Sequence, residues 1–74
     1  MIQEKYLLSK GFTKEDGGFF KLINQYEGSK DYIFLVPEMG RLVVEYRGNI
    51  IQLCDCDSAI RMRYALSLVG YSLK

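Results

Sequence analysis

A strict alternation of side chains over residues 41–47 constrains the fold more than any other feature of the sequence. In an extended chain, successive side chains point to opposite faces of the sheet. One face therefore carries Leu42, Val44 and Tyr46. The other face carries Arg41, Val43, Glu45 and Arg47. This pattern predicts a β-strand with one apolar face and one mixed face.

A Gly48-Asn49 pair follows this strand and is typical of a two-residue hairpin turn. It predicts that residues 50–54 return as the next strand. A two-residue loop at this position pairs Tyr46 with Ile51 and Val44 with Leu53, so each apolar side chain meets another.

Two further strands are predicted before this hairpin, over residues 19–26 and 32–36, with a turn at residues 27–30. A four-residue loop at Pro37–Gly40 sets Leu35 against Leu42 and Ile33 against Val44. Both hairpins then share a single core face, which consists of Ile33, Leu35, Leu42, Val44, Tyr46, Ile51 and Leu53.

Helices are predicted at both ends of the chain. Residues 1–10 form the first helix, which ends at Gly11, and residues 13–18 form a loop. Asp57 or Ser58 caps a second helix of about twelve residues that ends at Gly70. The prediction is a single α+β domain over residues 1–74, with a four-stranded antiparallel meander flanked by an N-terminal and a C-terminal helix (αββββα).

Composition supports a small globular domain in the cytoplasm. Of the 74 residues, 49% are hydrophobic and 26% are charged, which is enough apolar surface for a core in a chain of this length. The longest apolar stretch, Tyr32 to Pro37, is too short to span a bilayer, so we expect no membrane partner. No signal-peptide pattern follows Met1, which favours a cytoplasmic protein.

The residues that usually carry catalysis are scarce. The chain has no histidine, and it has neither a glycine-rich phosphate loop nor a serine in a nucleophile-elbow context. The carboxylate pair Glu15/Asp16 lies in the predicted loop, and Asp55/Asp57 lies at a helix start, where acidic residues complement the helix dipole. The sequence therefore predicts a protein that is not an enzyme and has no cofactor.

Cys54 and Cys56 are separated by one residue and allow two interpretations. A disulfide between them would close a very small loop, so free thiols are expected. The simpler interpretation is that both are small, mostly buried apolar residues, Cys54 at a strand end and Cys56 in the following turn. The alternative is that two copies of the chain combine their thiolates in a four-cysteine metal site.

The second helix carries apolar residues on two sides. At 100° per residue, one stripe consists of Ala59, Met62, Ala65, Leu66 and Val69. The second stripe consists of Ile60, Tyr64, Leu68 and Tyr71. A helix that is apolar on two sides is normally buried between two surfaces, and either the first helix or another protein chain can supply the second surface.

The mixed face of the sheet also carries more apolar residues than a face exposed to water usually does. These residues, which lie beside the charged ones, are Tyr32, Phe34, Val36 and Val43. A contiguous apolar patch on so small a protein marks an interface. The first helix is too short to cover both surplus surfaces. We therefore expect a protein-interaction or regulatory module that forms a homodimer or binds another protein, of a microbial or mobile-element type in view of its compactness. The residues expected at the interface are Tyr32, Phe34, Val36 and Val43 of the sheet and Ile60, Tyr64, Leu68 and Tyr71 of the second helix.

Nucleic-acid binding is the alternative function. Basic side chains beside aromatic rings on a sheet resemble the surfaces that bind single strands. The contact residues expected for such a surface are Lys21, Arg41, Arg47, Arg61 and Arg63. Against it, the net charge is only +1, and Glu45, Asp55 and Asp57 lie among the basic residues.

Overall fold

The chain forms a five-stranded antiparallel meander with one helix before it and one after it. The computed structural model describes all 74 residues and confirms the α+β class. Strand order in the sheet equals chain order. The elements are α1 (Glu4–Ser9), β1 (Thr13–Glu15), β2 (Gly18–Tyr26), β3 (Ser29–Val36), β4 (Arg41–Tyr46), β5 (Asn49–Leu53) and α2 (Ala59–Leu68).

The fifth strand, β1, lies in the stretch predicted to be a loop, and that prediction is wrong. Thr13 pairs with Phe20 and Glu15 with Gly18, so Asp16 and Gly17 form a two-residue turn. Both turn residues have positive φ values, 50° and 77°, as Asp-Gly hairpin turns require. Within the stretch predicted to be a loop, only this turn lies outside the strands. The first helix is also shorter than residues 1–10.

The predicted registers are confirmed in one hairpin and wrong in the other. Between β3 and β4, Leu35 pairs with Leu42 and Ile33 pairs with Val44, as predicted. Between β4 and β5, Val44 pairs with Ile51 instead of Leu53, a shift of two residues. The turn consists of Arg47 and Gly48, one residue earlier than predicted, because Asn49 pairs with Tyr46 within the ladder. A shift of two keeps every side chain on its predicted face.

Both helices pack on the same face of the sheet, which we call the inner face. A single buried cluster joins Leu7 of α1 and Met62, Ala65 and Leu66 of α2 to the inner residues of β3 and β4. Those strand residues are Ile33, Leu35, Leu42, Val44 and Tyr46. Ile51 and Leu53 of β5 are half-buried at its margin. Neither helix contributes to the opposite, outer face of the sheet.

The helix ends confirm the predicted capping. The amide of Phe12 donates to the carbonyl of Leu7 at 3.1 Å, and the amide of Tyr71 donates to that of Leu66 at 3.0 Å. Gly11 and Gly70 take the left-handed conformation between these partners, with φ values of 89° and 86°. At the start of α2, the capping residue is Ser58, whose Oγ accepts the Arg61 amide at 3.1 Å.

Asp31 is the one buried charged residue of the core face, with 2% of its surface exposed. Its carboxylate accepts hydrogen bonds from Tyr26 Oη at 2.8 Å, from Asn24 Nδ2 at 3.1 Å and from the Arg47 amide at 3.3 Å. Asn24 follows a β-bulge in β2, and Arg47 lies in the β4–β5 turn. Asp31 therefore joins three neighbouring strands near one end of the sheet.

These contacts explain how Arg47 occupies a conformation that favours glycine. Its φ of 50° is costly for a residue with a side chain. The hydrogen bond of its amide to Asp31 holds the backbone, and its guanidinium carbon lies 5.0 Å from the centre of the Tyr46 ring. One tertiary hydrogen bond and one contact with the preceding residue thus offset the local strain of the turn.

Acid should weaken the fold through Asp31. Burial disfavours its charged form, but the hydrogen bonds from Asn24, Tyr26 and Arg47 outweigh burial and hold the pKa of Asp31 below its ordinary value. Its stabilising effect is therefore complete above about pH 4, the unfolded-state pKa, and is lost as pH falls through the lower folded-state pKa. Urea unfolding of Asp31→Asn should show a clear loss of stability at pH 7 and a smaller difference from the wild type near pH 2.

The control for this prediction is Glu27→Gln, which removes an exposed carboxylate from the neighbouring β2–β3 turn. This variant should keep the pH response of the wild type. A stability difference between the wild type and Asp31→Asn that is equal at pH 7 and pH 2 would contradict the role given to the carboxylate.

Candidate association surface

The outer face of the sheet is apolar over its central strands and is covered by neither helix. The pairing places Phe20 beside Phe34, and Phe34 beside Val43, in one row across β2, β3 and β4. The next row places Leu22 beside Tyr32. We use the name outer patch for the apolar residues of this face, which are Phe20, Leu22, Tyr32, Phe34, Val36, Val43 and Ile50. Leu22 and Ile50 are 46% and 61% exposed, and the others are half-buried.

The aromatic residues of the outer patch are held in place by one another and by the backbone. The rings of Phe20 and Tyr32 stack with 5.7 Å between their centroids and 21° between their planes. The Phe34 ring lies over Gly18, where an added Cβ would come within 2.7 Å of both Phe34 Cζ and the Leu35 carbonyl oxygen. Only glycine fits beneath this ring. The patch is therefore a preformed surface.

Two opposite charges border the outer patch along β4. Arg41 and Glu45 lie at the two ends of the outer side of this strand, with Val43 midway between them. Neither takes part in an ion pair within the chain, whose ion pairs are Lys14–Glu4 and Arg61–Asp55. The outer side of β4 thus carries one unpaired cation and one unpaired anion, with apolar Val43 between them.

The residues predicted for the sheet interface occupy the expected face. Tyr32, Phe34, Val36 and Val43 all belong to the outer patch. Sequence reasoning missed Ile50 of β5, and it also missed Phe20 and Leu22 of β2. The signal that identifies the two β2 residues is the pairing of β2 with β3, which places them beside Phe34 and Tyr32.

The second stripe of α2 is exposed for the most part. Ile60, Tyr64 and Leu68 are 80%, 64% and 62% exposed, and they lie on the side of α2 away from Met62 and Leu66. Tyr71 does not belong to this stripe, because the helix ends at Leu68. Its ring instead packs edge-on against Tyr46 at 5.4 Å, and burial raises the pKa of Tyr71. The stripe and the outer patch are separated by the core.

The structure does not gather the basic residues that were predicted to contact nucleic acid. Lys21 pairs with Ile33 on the inner side of the sheet, and its Nζ lies against Gly11. Arg47 lies in a turn against Tyr46, and Arg61 is paired with Asp55 at 2.7 Å. Arg63 is exposed on α2.

Arg41 alone of this set lies on the outer face. Sequence reasoning missed Lys30, whose Nζ lies 5.1 Å from the Phe20 ring centre and 5.8 Å from that of Tyr32.

The two cysteines differ in environment. Cys54 is exposed, whereas Cys56 is fully buried and its amide donates to the Gly40 carbonyl at 2.8 Å. Burial raises the pKa of the Cys56 thiol. The prediction that both are mostly buried is correct for Cys56 only. No group of three or more His, Cys, Asp or Glu side chains is close enough to hold a metal ion within one chain.

The cysteine environments predict different reactivities. Because the thiolate is the reactive form, Cys56 should be inert in the folded protein, and Cys54 should react with a disulfide reagent such as DTNB. We expect one fast thiol per chain in buffer and a second only after unfolding in denaturant. Cys54→Ser should remove the fast phase, and two fast thiols in the folded wild type would contradict the assignment.

The one cleft of the protein is too small for a typical small-molecule site. A shallow cleft of about 160 Å³ lies beside α1, between Met1, Phe19, Val36 and Glu38. Sites for small molecules usually measure at least about 300 Å³. Neither helix has the length and apolar character needed to cross a lipid bilayer.

Comparison with known proteins does not assign the chain to a family or a function. The chain matches no protein-family model, no curated protein and no solved structure.

Proposed function

We propose that this protein is a small, non-enzymatic interaction module that self-associates through its outer patch. The observation that carries the proposal is the position of both helices on the inner face, which leaves the stacked and half-buried apolar side chains of the outer face uncovered. An apolar patch of this kind on a monomer marks an interaction surface.

The charges that border the patch favour a second copy of the chain as the partner. Consider a two-fold axis that lies between two facing sheets and crosses the strands at Val43. This axis reverses the direction of β4, so that Arg41 of each copy faces Glu45 of the other. Phe34 then faces Phe34 of the second copy, and the unpaired charges of the monomer become two ion pairs at the rim.

The size of the surface indicates a weak dimer. With strands about 4.8 Å apart and a rise of about 3.3 Å per residue, five strands of about six residues have a footprint of roughly 400–500 Å². A face-to-face pair then buries roughly 1,000 Å² in total, near the lower limit of specific interfaces. We expect a dissociation constant of about micromolar order, which makes association sensitive to cellular concentration.

The outer patch is better suited to protein than to nucleic acid. Phe20 and Tyr32 stack on each other with Lys30 beside both rings, so each ring already has aromatic and cationic neighbours where a base would stack. Glu45 places a negative charge on the same side of β4 as Arg41, where it would repel a phosphate.

The two free thiols fit a protein that works in the reducing cytoplasm.

A charge exchange on β4 tests the proposed arrangement. Arg41→Glu and Glu45→Arg each create like-charge contacts across the axis, so each should raise the dimer dissociation constant by about tenfold or more. The double variant Arg41→Glu/Glu45→Arg restores opposite charges and should return it to within about threefold of the wild type. Sedimentation equilibrium at several protein concentrations measures these constants.

The matched control is Tyr64→Glu, which adds a charge to the exposed stripe of α2 and should leave the sheet-mediated dimer intact. A wild type that remains monomeric at high micromolar concentration contradicts the proposal. Salt-sensitive binding of a single-stranded oligonucleotide that is lost in Arg41→Glu and in the double variant would favour nucleic acid instead.

A further inference from the structure

The two edges of the open sheet differ in how well they resist further strand pairing. The edge strand β1 has only three residues, and two of them are Lys14 and Glu15. The opposite edge strand, β5, has five residues and contains no charge and no proline, and its pairing with β4 shows no bulge. Short length, charge and bulges are the usual means by which natural proteins protect a sheet edge. The β5 edge has none of these protections.

The hairpin geometry identifies which backbone groups of β5 are free. The pair Tyr46–Asn49 closes a two-residue turn, and such a closing pair is hydrogen-bonded. Because hydrogen-bonded and non-hydrogen-bonded pairs alternate in an antiparallel ladder, Ile51 and Leu53 also bond to β4. Ile50 and Gln52 therefore point their amides and carbonyls away from β4. No turn, loop or cap hydrogen bond of the chain uses these groups.

We infer that the β5 edge pairs with the β5 strand of a second copy, antiparallel about a two-fold axis at Ile51. In this register Ile50 lies opposite Gln52 of the second copy, and Gln52 lies opposite its Ile50. Each of these pairs forms two backbone hydrogen bonds. The contact therefore satisfies all four free amides and all four free carbonyls of the two strands. Only a register centred at Ile51 pairs the free groups of both copies completely.

The side chains are compatible with this register. Ile51 meets Ile51 of the second copy on the inner side, and Ile50 lies beside Gln52 on the outer side. No charged side chain belongs to either strand, so no like charges meet across the axis. The contact continues the sheet sideways through the backbone of Ile50 and Gln52, and it does not cover the outer patch. It is therefore independent of the face-to-face dimer proposed above.

Hydrogen–deuterium exchange resolved by residue tests the inference directly. In a dilute sample, the amides of Ile50 and Gln52 should exchange quickly, whereas those of Ile51 and Leu53 should be protected by β4. Raising the concentration from low micromolar to millimolar should slow exchange at Ile50 and Gln52 by at least about tenfold. Fast exchange at both residues up to millimolar concentration would overturn the inference.

Two substitutions at position 52 separate the backbone contact from the side chain. Gln52→Pro removes an amide that the β4–β5 ladder does not use, so this variant should fold, as judged by cooperative unfolding. It should lose the concentration-dependent protection of Ile50. Gln52→Thr keeps the amide and should keep that protection, and equal protection of Ile50 in both variants would contradict the inference.

Arg41→Glu distinguishes this contact from the proposed function. It should weaken association through the outer patch and leave the concentration-dependent protection of Ile50 unchanged. Loss of that protection in Arg41→Glu would assign the protection to the face-to-face contact and overturn the edge pairing. If Gln52→Pro fails to fold, the exchange measured on the wild type still decides the question.

Discussion

The packing of both helices against the inner face is the interaction on which the rest of the structure depends. A chain of 74 residues has little apolar area with which to stabilise itself, and its helices are only six and ten residues long. Leu7 from one helix and Met62 and Leu66 from the other are all fully buried against the same strands. With both helices on one side, neither of them covers the other side of the sheet.

Local patterns in the sequence predicted most of this fold. The alternation of Leu42, Val44 and Tyr46 identified the inner face, and the glycines at the helix ends identified where the helices stop. The β4–β5 turn was placed one residue late, because an arginine in the left-handed conformation is locally unfavourable. Its stabilising partner, Asp31, lies sixteen residues away in the chain. A contact of that kind exists only after the sheet has formed, so it cannot be predicted from neighbouring residues in the sequence.

The candidate site was predictable on β3 and β4 and less so elsewhere. Tyr32, Phe34 and Val43 follow from the alternation of strands whose opposite face is clearly apolar. In β2, apolar residues occur on both sides and a bulge follows Leu22, so the period of two does not assign its faces. Lys21 was therefore placed on the wrong face. Tyr71 fits the exposed stripe only if the helical period is continued past Gly70, where the left-handed backbone ends the helix.

The short, charged strand at the far edge has a consequence for assembly size. A sheet with two open edges can recruit copies without limit and grow into a fibre, which is the hazard of exposed strands. Here β1 ends the sheet on one side with a lysine and a glutamate in three residues. Any lateral growth is therefore confined to β5. An antiparallel two-fold contact pairs the β5 edges of both copies with each other, so neither copy keeps a free β5 edge. In the pairing that we propose for β5, this asymmetry between the two edges would limit the continuous sheet to two chains.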